Sequence, residues 1–275
     1  MKNSFILILL FLSRNSTTAQ DTLKTSKIYS VSPKYEFTTG IVLIGLSSLG
    51  FKKLAKISYL SKDDILRLNP NDINKFDRPI AFKNPDYFPT AQKRSDLFLN
   101  ISLITPLILM ADKEIRHDWL DLTSMYLMTH AFDNVLYFAA TFPIRRPRPL
   151  AYNPKISVDD RAGDGKSISF FSGHVSFSST ATFFFVKVYT DYNQIKGIKR
   201  VGLYTLASIP PALVAYYRTQ AGKHFKTDVI TGFIAGAVSG ILVPEWHKKN
   251  KKDKKVSLYP VYDPHYGGLS ANWTF

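Results

Sequence analysis

Residues 170–179 read FFSGHVSFSS, a Ser-Gly-His triplet set between two phenylalanines and a small-residue run that turns strongly apolar. The apolar character continues to about Tyr189, long for a strand and without clean alternation, so the spacing predicts a helix that opens at the triplet. The first turn of a helix leaves backbone N–H groups unpaired, and its dipole favours negative charge there. Gly173 allows close approach of backbone to a ligand. Ser172 adds a hydroxyl and His174 an imidazole. The triplet therefore reads as a helix start that faces an anion.

Five further apolar segments have the same helical character, at about 38–51, 97–111, 122–142, 201–217 and 229–243. The expected fold is all-α, a six-helix bundle with its active site at one end. The last segment contains GFIAGAVSG (232–240), whose small residues permit close helix packing. The third contains His130, Asp133 and Asn134, which are expected to face the bundle interior. Membrane embedding is preferred over a water-soluble bundle. Between the first two segments, residues 60–96 carry Pro70, Pro79, Pro85 and Pro89 and read as short amphipathic pieces covering one mouth or lying in the membrane interface.

The 275 residues fit one domain with modest appendages. The divisions expected are a signal peptide over 1–20, a polar segment over 21–37, a helical domain over 38–245 and a basic, strand-like tail over 246–275. A lysine followed by the apolar core Phe5–Leu12 has the shape of a secretory signal. The absence of cysteine excludes disulfides, thiolate catalysis and Cys-bearing zinc sites. The net charge of +15 suits phosphorylated ligands or an anionic membrane surface. No aromatic-basic nucleic-acid motif is legible, and no protein partner is indicated.

The basic residues that matter flank helices. RRPRPLAYN (145–153) follows the third helix, and YYRTQAGKHFKTD (216–228) joins the fifth to the sixth. In an up-down bundle these two stretches and the Ser-Gly-His triplet fall on one face. Arg146, Arg148 and Arg218 offer planar forks suited to phosphate oxygens. His224 and Asp228 are four apart; on a shared helix face the carboxylate would hold the imidazole in one tautomer. A buttressed imidazole is a nucleophile or base, and His174 is free to act as a general acid.

These motifs resemble the superfamily of type 2 phosphatidic-acid phosphatases and vanadium haloperoxidases, which carries Lys, six residues, Arg-Pro; then Pro-Ser-Gly-His; then Ser-Arg, five residues, His, three residues, Asp. The matching residues are Arg148-Pro149, Ser172-Gly173-His174, and Arg218, His224 and Asp228. Thr141 stands at the lysine, Phe171 at the proline and Tyr217 at the serine. Arg145 or Arg146 is the expected substitute for the missing lysine. The resemblance covers about residues 38–245. It implies that His224 attacks phosphorus, that Asp228 orients it and that His174 protonates the leaving oxygen. Arg148, Arg218, Ser172 and the Gly173 amide would hold the phosphoryl oxygens, with Arg146 as a further contact. No metal and no cofactor are implied.

The leading expectation is a membrane-associated phosphatase of the bacterial cell envelope with its site facing the periplasm. Its substrate would be a phosphorylated lipid such as undecaprenyl diphosphate, a lipid A phosphate, phosphatidate or phosphatidylglycerol phosphate. Alternatives are a soluble periplasmic acid phosphatase, a vanadate-dependent haloperoxidase and a non-catalytic anion-binding membrane protein. Lys187, Lys196, Lys199, Arg200 and the six lysines between 248 and 255 are expected to mark the non-catalytic face as cytoplasmic. A cleaved signal followed by six full spans would put the site on the opposite side, so the two expectations conflict.

Overall fold

The computed structural model describes residues 27–249, 256–263 and 266–273. The signal-peptide expectation over 1–20 lies outside the described residues. Ten helices follow in order: α1 Pro33–Ile57, α2 Lys62–Arg67, α3 Phe88–Ile104, α4 Lys113–His117, α5 Trp119–Thr141, α6 Val158–Arg161, α7 Gly173–Tyr192, α8 Gly197–Ala207, α9 Ile209–Gln220 and α10 Lys226–His247. Short 3-10 turns lie between several of them. Residues Val256–Asp263 and Tyr266–Trp273 pair as an antiparallel hairpin.

The six expected apolar segments are all helical, and prolines set where several begin or end. Pro33 and Pro89 sit in the first turns of α1 and α3, where the missing N–H has no intrahelical partner to lose. Helix α3 therefore starts nine residues before the expected boundary at 97, and Pro106 opens the 3-10 turn that follows it. The segment 201–217 is two helices, because Pro210 and Pro211 cannot continue the hydrogen-bond ladder of α8. Side-chain caps fix the short helices: Ser61 with Asp64 at α2, Asp112 at α4 and Ser157 at α6.

Helix α7 is the centre of the bundle and packs against α3, α5, α8, α9 and α10. Its contact with α10 is the most extensive between helices. A Cβ built at Gly232, Gly236 or Gly240 would lie 2.5, 2.1 or 2.6 Å from the carbonyl oxygens of Ser172, Ser176 and Thr180. Only glycine permits this approach. The opposite face of α10 exposes Ile230, Ile234, Val238, Leu242 and Trp246, a stripe at four-residue spacing. Small residues thus point inward and large apolar ones outward, the reverse of a soluble helix. Ile41, Val42, Leu46 and Leu49 of α1 and Leu97, Ile101 and Ile104 of α3 extend the exposed apolar belt. Residues Pro85–Ala111 and Lys226–His247 are each long and apolar enough to cross a membrane.

The polar residues of the third apolar segment turn inward. Asp133 accepts hydrogen bonds from Ser176 (2.6 Å) and Ser239 (3.3 Å), and Asn134 donates to Ser47 at 3.0 Å. Lys187 is not a surface charge, contrary to expectation. It is buried within α7 and pairs with Asp191 and with Glu245. Asp191 also accepts from Tyr29, Lys248 and Arg200, so its neighbourhood ties the start of the described chain to the end of α10. The backbone does the same: Ser30 donates to the His247 carbonyl at 2.7 Å.

Replacing Gly236 with leucine is expected to destabilise the bundle by about 1–3 kcal/mol or more, since the obstructing atom is a backbone oxygen. Gly202, whose added Cβ meets nothing within 4 Å, is the control. Thermal unfolding of Gly236→Leu and Gly202→Leu side by side measures the difference, and equal stabilities would contradict the packing account.

Candidate active site

Alternation of the long helices brings the start of α3, the end of α5, the start of α7, the end of α9 and the start of α10 to one end of the bundle. His224 sits in the turn between α9 and α10. Gly222 shapes that turn with φ +61°, a value that favours glycine, and its carbonyl accepts from Leu150 N at 3.0 Å. The His224 ring is 2% exposed. Its Nδ1 lies 2.7 Å from the Ser169 carbonyl oxygen. A carbonyl only accepts, so Nδ1 carries the proton and Nε2 presents a lone pair. Burial, then the Arg218 and Arg148 guanidinium groups, push the His224 pKa well below its ordinary value. The imidazole is therefore neutral at physiological pH.

Asp228 does not touch His224. The four-residue spacing fails as a face argument because α10 begins at Lys226, two residues after the histidine. Asp228 instead occupies the first turn of α10, where one carboxylate oxygen accepts from the Phe225 amide at 2.7 Å and from the Ser169 hydroxyl. Its influence on His224 passes through Ser169, whose side chain it holds and whose carbonyl orients the ring.

Arg146 is committed to carboxylates. It donates to Asp228, to Asp77 at 2.8 Å and to the Thr227 hydroxyl at 2.8 Å, and its guanidinium lies 4.2 Å from the Phe225 ring centroid. Arg145 donates to Ser58 Oγ at 2.6 Å. Thr141 is buried and donates to the Tyr137 carbonyl. Both arginines expected to substitute for the missing lysine already have hydrogen-bond partners: Ser58 for Arg145, and Asp77, Thr227 and Asp228 for Arg146.

The remaining cations are differently placed. Arg148 donates through Nε to the Gly165 carbonyl at 2.9 Å, and burial lowers its pKa. Arg218 is buried; it donates to Gln92 Oε1 at 2.8 Å, and Nη2 lies 3.5 Å from His224 Nε2. Arg218 Nε and Ser172 Oγ are both buried without a hydrogen-bond partner among the described residues. Ser172 precedes α7, and no side chain caps that helix. A Cβ added at Gly173 would lie 3.1 Å from the Tyr137 ring edge, a tight approach that the ring would have to yield to. His174 Nε2 lies 3.3 Å from Asp96 Oδ1 at the more open side of the site. Gln92 donates to both oxygens of Asp96 at 2.8 Å.

His174, His224, Arg148, Arg218, Ser172 and Gly173 thus share one end of the bundle, with Asp228 and Arg146 in the wall behind. Sequence reasoning missed four neighbours: Asp77, Gln92, Asp96 and Ser169. Gln92 and Asp96 are four apart near the start of α3, and reading Pro89 as a first-turn residue would have placed them on a helix. Asp77 had no comparable signal. Its four partners are Arg146, the Thr227 amide, the Thr227 hydroxyl and Asn74.

Burial works to raise the Asp77 pKa, but hydrogen bonds from Thr227, Arg146 and Asn74 outweigh it and leave the pKa below its ordinary value. Its stabilising contribution is therefore complete above the unfolded-state value near 4 and is lost as pH falls through the lower folded value. Asp77→Ala should cost on the order of 3 kcal/mol by stripping Arg146 of a buried partner. Thermal unfolding at pH 7 checks the size, and a wild-type-like melting temperature would contradict it.

No curated protein matches the chain. Two solved structures resemble it. Aquifex aeolicus LpxE aligns over 61% of this chain and 92% of its own, at 16% identity and a TM-score of 0.41. A transmembrane PAP2-type phosphatidylglycerolphosphate phosphatase from Bacillus subtilis aligns over 78% of this chain and 94% of its own, at 18% identity and a TM-score of 0.41. Residues 119–252, the stretch that carries α5, α7, α9 and α10 and every signature residue, match the PAP2 superfamily. The likeness to the PAP2 superfamily thus spans just under half of the chain and includes the whole of the site.

Proposed function

We propose that the protein hydrolyses a phosphate ester or diphosphate of a lipid through a phosphohistidine on His224. The observation that carries this reading is the pair of partnerless buried groups, Ser172 Oγ and Arg218 Nε, at the same end of the bundle as the Nε2 lone pair of a neutral imidazole. Buried polar groups left unpaired are costly. Both are hydrogen-bond donors that a phosphoryl oxygen satisfies.

In the proposed reaction Nε2 of His224 attacks phosphorus, and the bond from phosphorus to the leaving oxygen breaks. His174 gives its proton to that oxygen. Arg148, Arg218, Ser172 and the amides at the start of α7 bind the equatorial oxygens as charge builds on them. The Ser169 carbonyl stabilises the proton on Nδ1 while the ring becomes cationic. Water, deprotonated by His174, then attacks phosphorus and releases phosphate and His224. Asp228 supports this chemistry by fixing Ser169. Arg146 is assigned a positioning role, because its donors already serve Asp77 and Asp228.

Lipid rather than soluble substrate is supported by the exposed apolar belt on α1, α3 and α10, which would lie against acyl chains. A membrane orientation with the site outward is supported by Lys196, Lys199, Arg200, Lys248 and Lys249 at the far end of the bundle. The described chain enters and leaves at that same end, since Tyr29 bridges to Lys248. A reporter fused after Lys249 should then read as cytoplasmic; a periplasmic reading would reverse the orientation.

His224→Ala should abolish release of phosphate from dispersed lipid phosphates, and an acid-labile phosphoenzyme should be trapped only when His224 is present. Unaltered turnover in this variant would remove the histidine from the mechanism. Chelation should leave turnover largely intact; complete loss restored by one added metal would refute the scheme.

A further inference from the structure

We infer that Lys223, the residue before the proposed nucleophile, is a phosphate-binding residue that completes the cation set of the site. The inference deepens the phosphatase reading and rests on it for the identity of the anion.

The turn that carries His224 also carries Lys223, and that turn is held on both sides. Lys223 N donates to the Arg218 carbonyl at 3.2 Å, and Leu150 N donates to the Gly222 carbonyl at 3.0 Å. An added Cβ at Gly222 would lie 2.6 Å from the Phe88 ring, so the turn is packed against α3 as well. Lys223 is therefore wedged between the loop that presents Arg148 and the helix end that presents Arg218. Its side chain is partly withdrawn from solvent. Among the described residues no carboxylate lies within ion-pair distance of its ammonium, whereas Arg146 has two.

The charges that act on Lys223 are those of Arg148 from the loop after α5, Arg218 from α9, Lys166 from the loop before α7, and Asp96 from α3. Three are cations and one is a half-exposed carboxylate already engaged by Gln92 and His174. Burial first, then Arg148, Arg218 and Lys166, push the Lys223 pKa down to about 8. An ammonium placed where it is desolvated and repelled is unfavourable in the free protein. A multiply charged anion in the site relieves that repulsion. Lys166 is less suited to this task, since its ammonium donates to the Asp160 carbonyl at 2.6 Å. Lysine rather than arginine fits a short turn that must deliver a compact point charge.

The test uses the purified full chain with inorganic phosphate and p-nitrophenyl phosphate as probes. Lys223→Met should weaken phosphate binding and lower kcat/KM at least tenfold. Lys223→Arg should recover most of both, and Lys93→Met, which removes an exposed charge on α3, should change neither. Phosphate binding to the wild type should weaken as pH rises above about 8, and Lys223→Arg should remove that decline. A Lys223→Met variant within twofold of wild type in phosphate affinity would overturn the inference, as would a decline with pH that persists in Lys223→Arg. If Lys223→Met fails to fold, the pH comparison between wild type and Lys223→Arg decides the matter. If the wild type hydrolyses no ester at all, the phosphatase reading fails separately, and phosphate titration still decides the role of Lys223.

Discussion

The site exists because α7 and α10 approach more closely than any side chain would allow. The contact begins at the site itself: Gly232 lies against the carbonyl of Ser172, and the Ser172 amide donates to the Asp228 carbonyl at 3.0 Å. Gly236 and Gly240 continue the contact down the bundle. Two helix N-termini are thereby brought side by side at the same end, one preceded by Ser172 and the other by His224. Each contributes the positive end of a dipole; the start of α7 has no side-chain cap, whereas Asp77 and Asp228 already hold the Thr227 and Phe225 amides of α10. A bulkier residue along α10 would spread the two termini and separate the imidazole from the triplet.

Around that contact the arginines and lysines divide by what they already hold. Arg145 and Arg146 are tied to Ser58, Asp77, Thr227 and Asp228, and they make the wall rigid. Arg148, Arg218 and Lys223 repel one another and have no carboxylate within ion-pair distance among the described residues. Like charges gathered in a buried place destabilise the free protein, and the site tolerates them because the surrounding backbone is over-determined. The Asp77 contact also fastens the proline-rich segment before α3 to the start of α10. That segment brings α3, with Gln92 and Asp96, against the end of α9. One carboxylate far away in sequence thus helps set the position of both Arg218 and His174.

The interior of the bundle is polar for a helical core. Hydroxyls of Ser176 and Ser239 converge on Asp133, Ser47 meets Asn134, and Ser102 meets Ser178 at 2.7 Å. Leu54, Leu122, Met125 and Phe184 are buried as well, and other large apolar side chains of α1, α3 and α10 lie on the outside. This distribution suits helices whose outer surface meets hydrocarbon, where close packing and interhelical hydrogen bonds, rather than burial of leucines, hold the bundle together.

Much of this was legible in the residues alone. Six long apolar runs without alternation specified six helical segments, since no strand is that long or that evenly apolar. The spacing of Arg218, His224 and Asp228, with Ser172-Gly173-His174, pointed to the PAP2 superfamily that residues 119–252 match, because those residue types at those separations have few other uses. GFIAGAVSG specified a tight helix contact without naming its partner. What the tertiary structure alone decided is which group serves which. Asp228 reaches His224 through Ser169 and not by helical adjacency, because the turn at Gly222 leaves the histidine outside α10. Arg146 belongs to Asp77, a residue 69 positions away, and Asp96 belongs to His174. Such pairings depend on where separate elements come to rest, and a hydrogen bond or ion pair between distant positions leaves no periodic trace in the chain. Local spacing therefore determined the elements and the chemistry they carry, while charge compensation across the bundle determined the role of each residue.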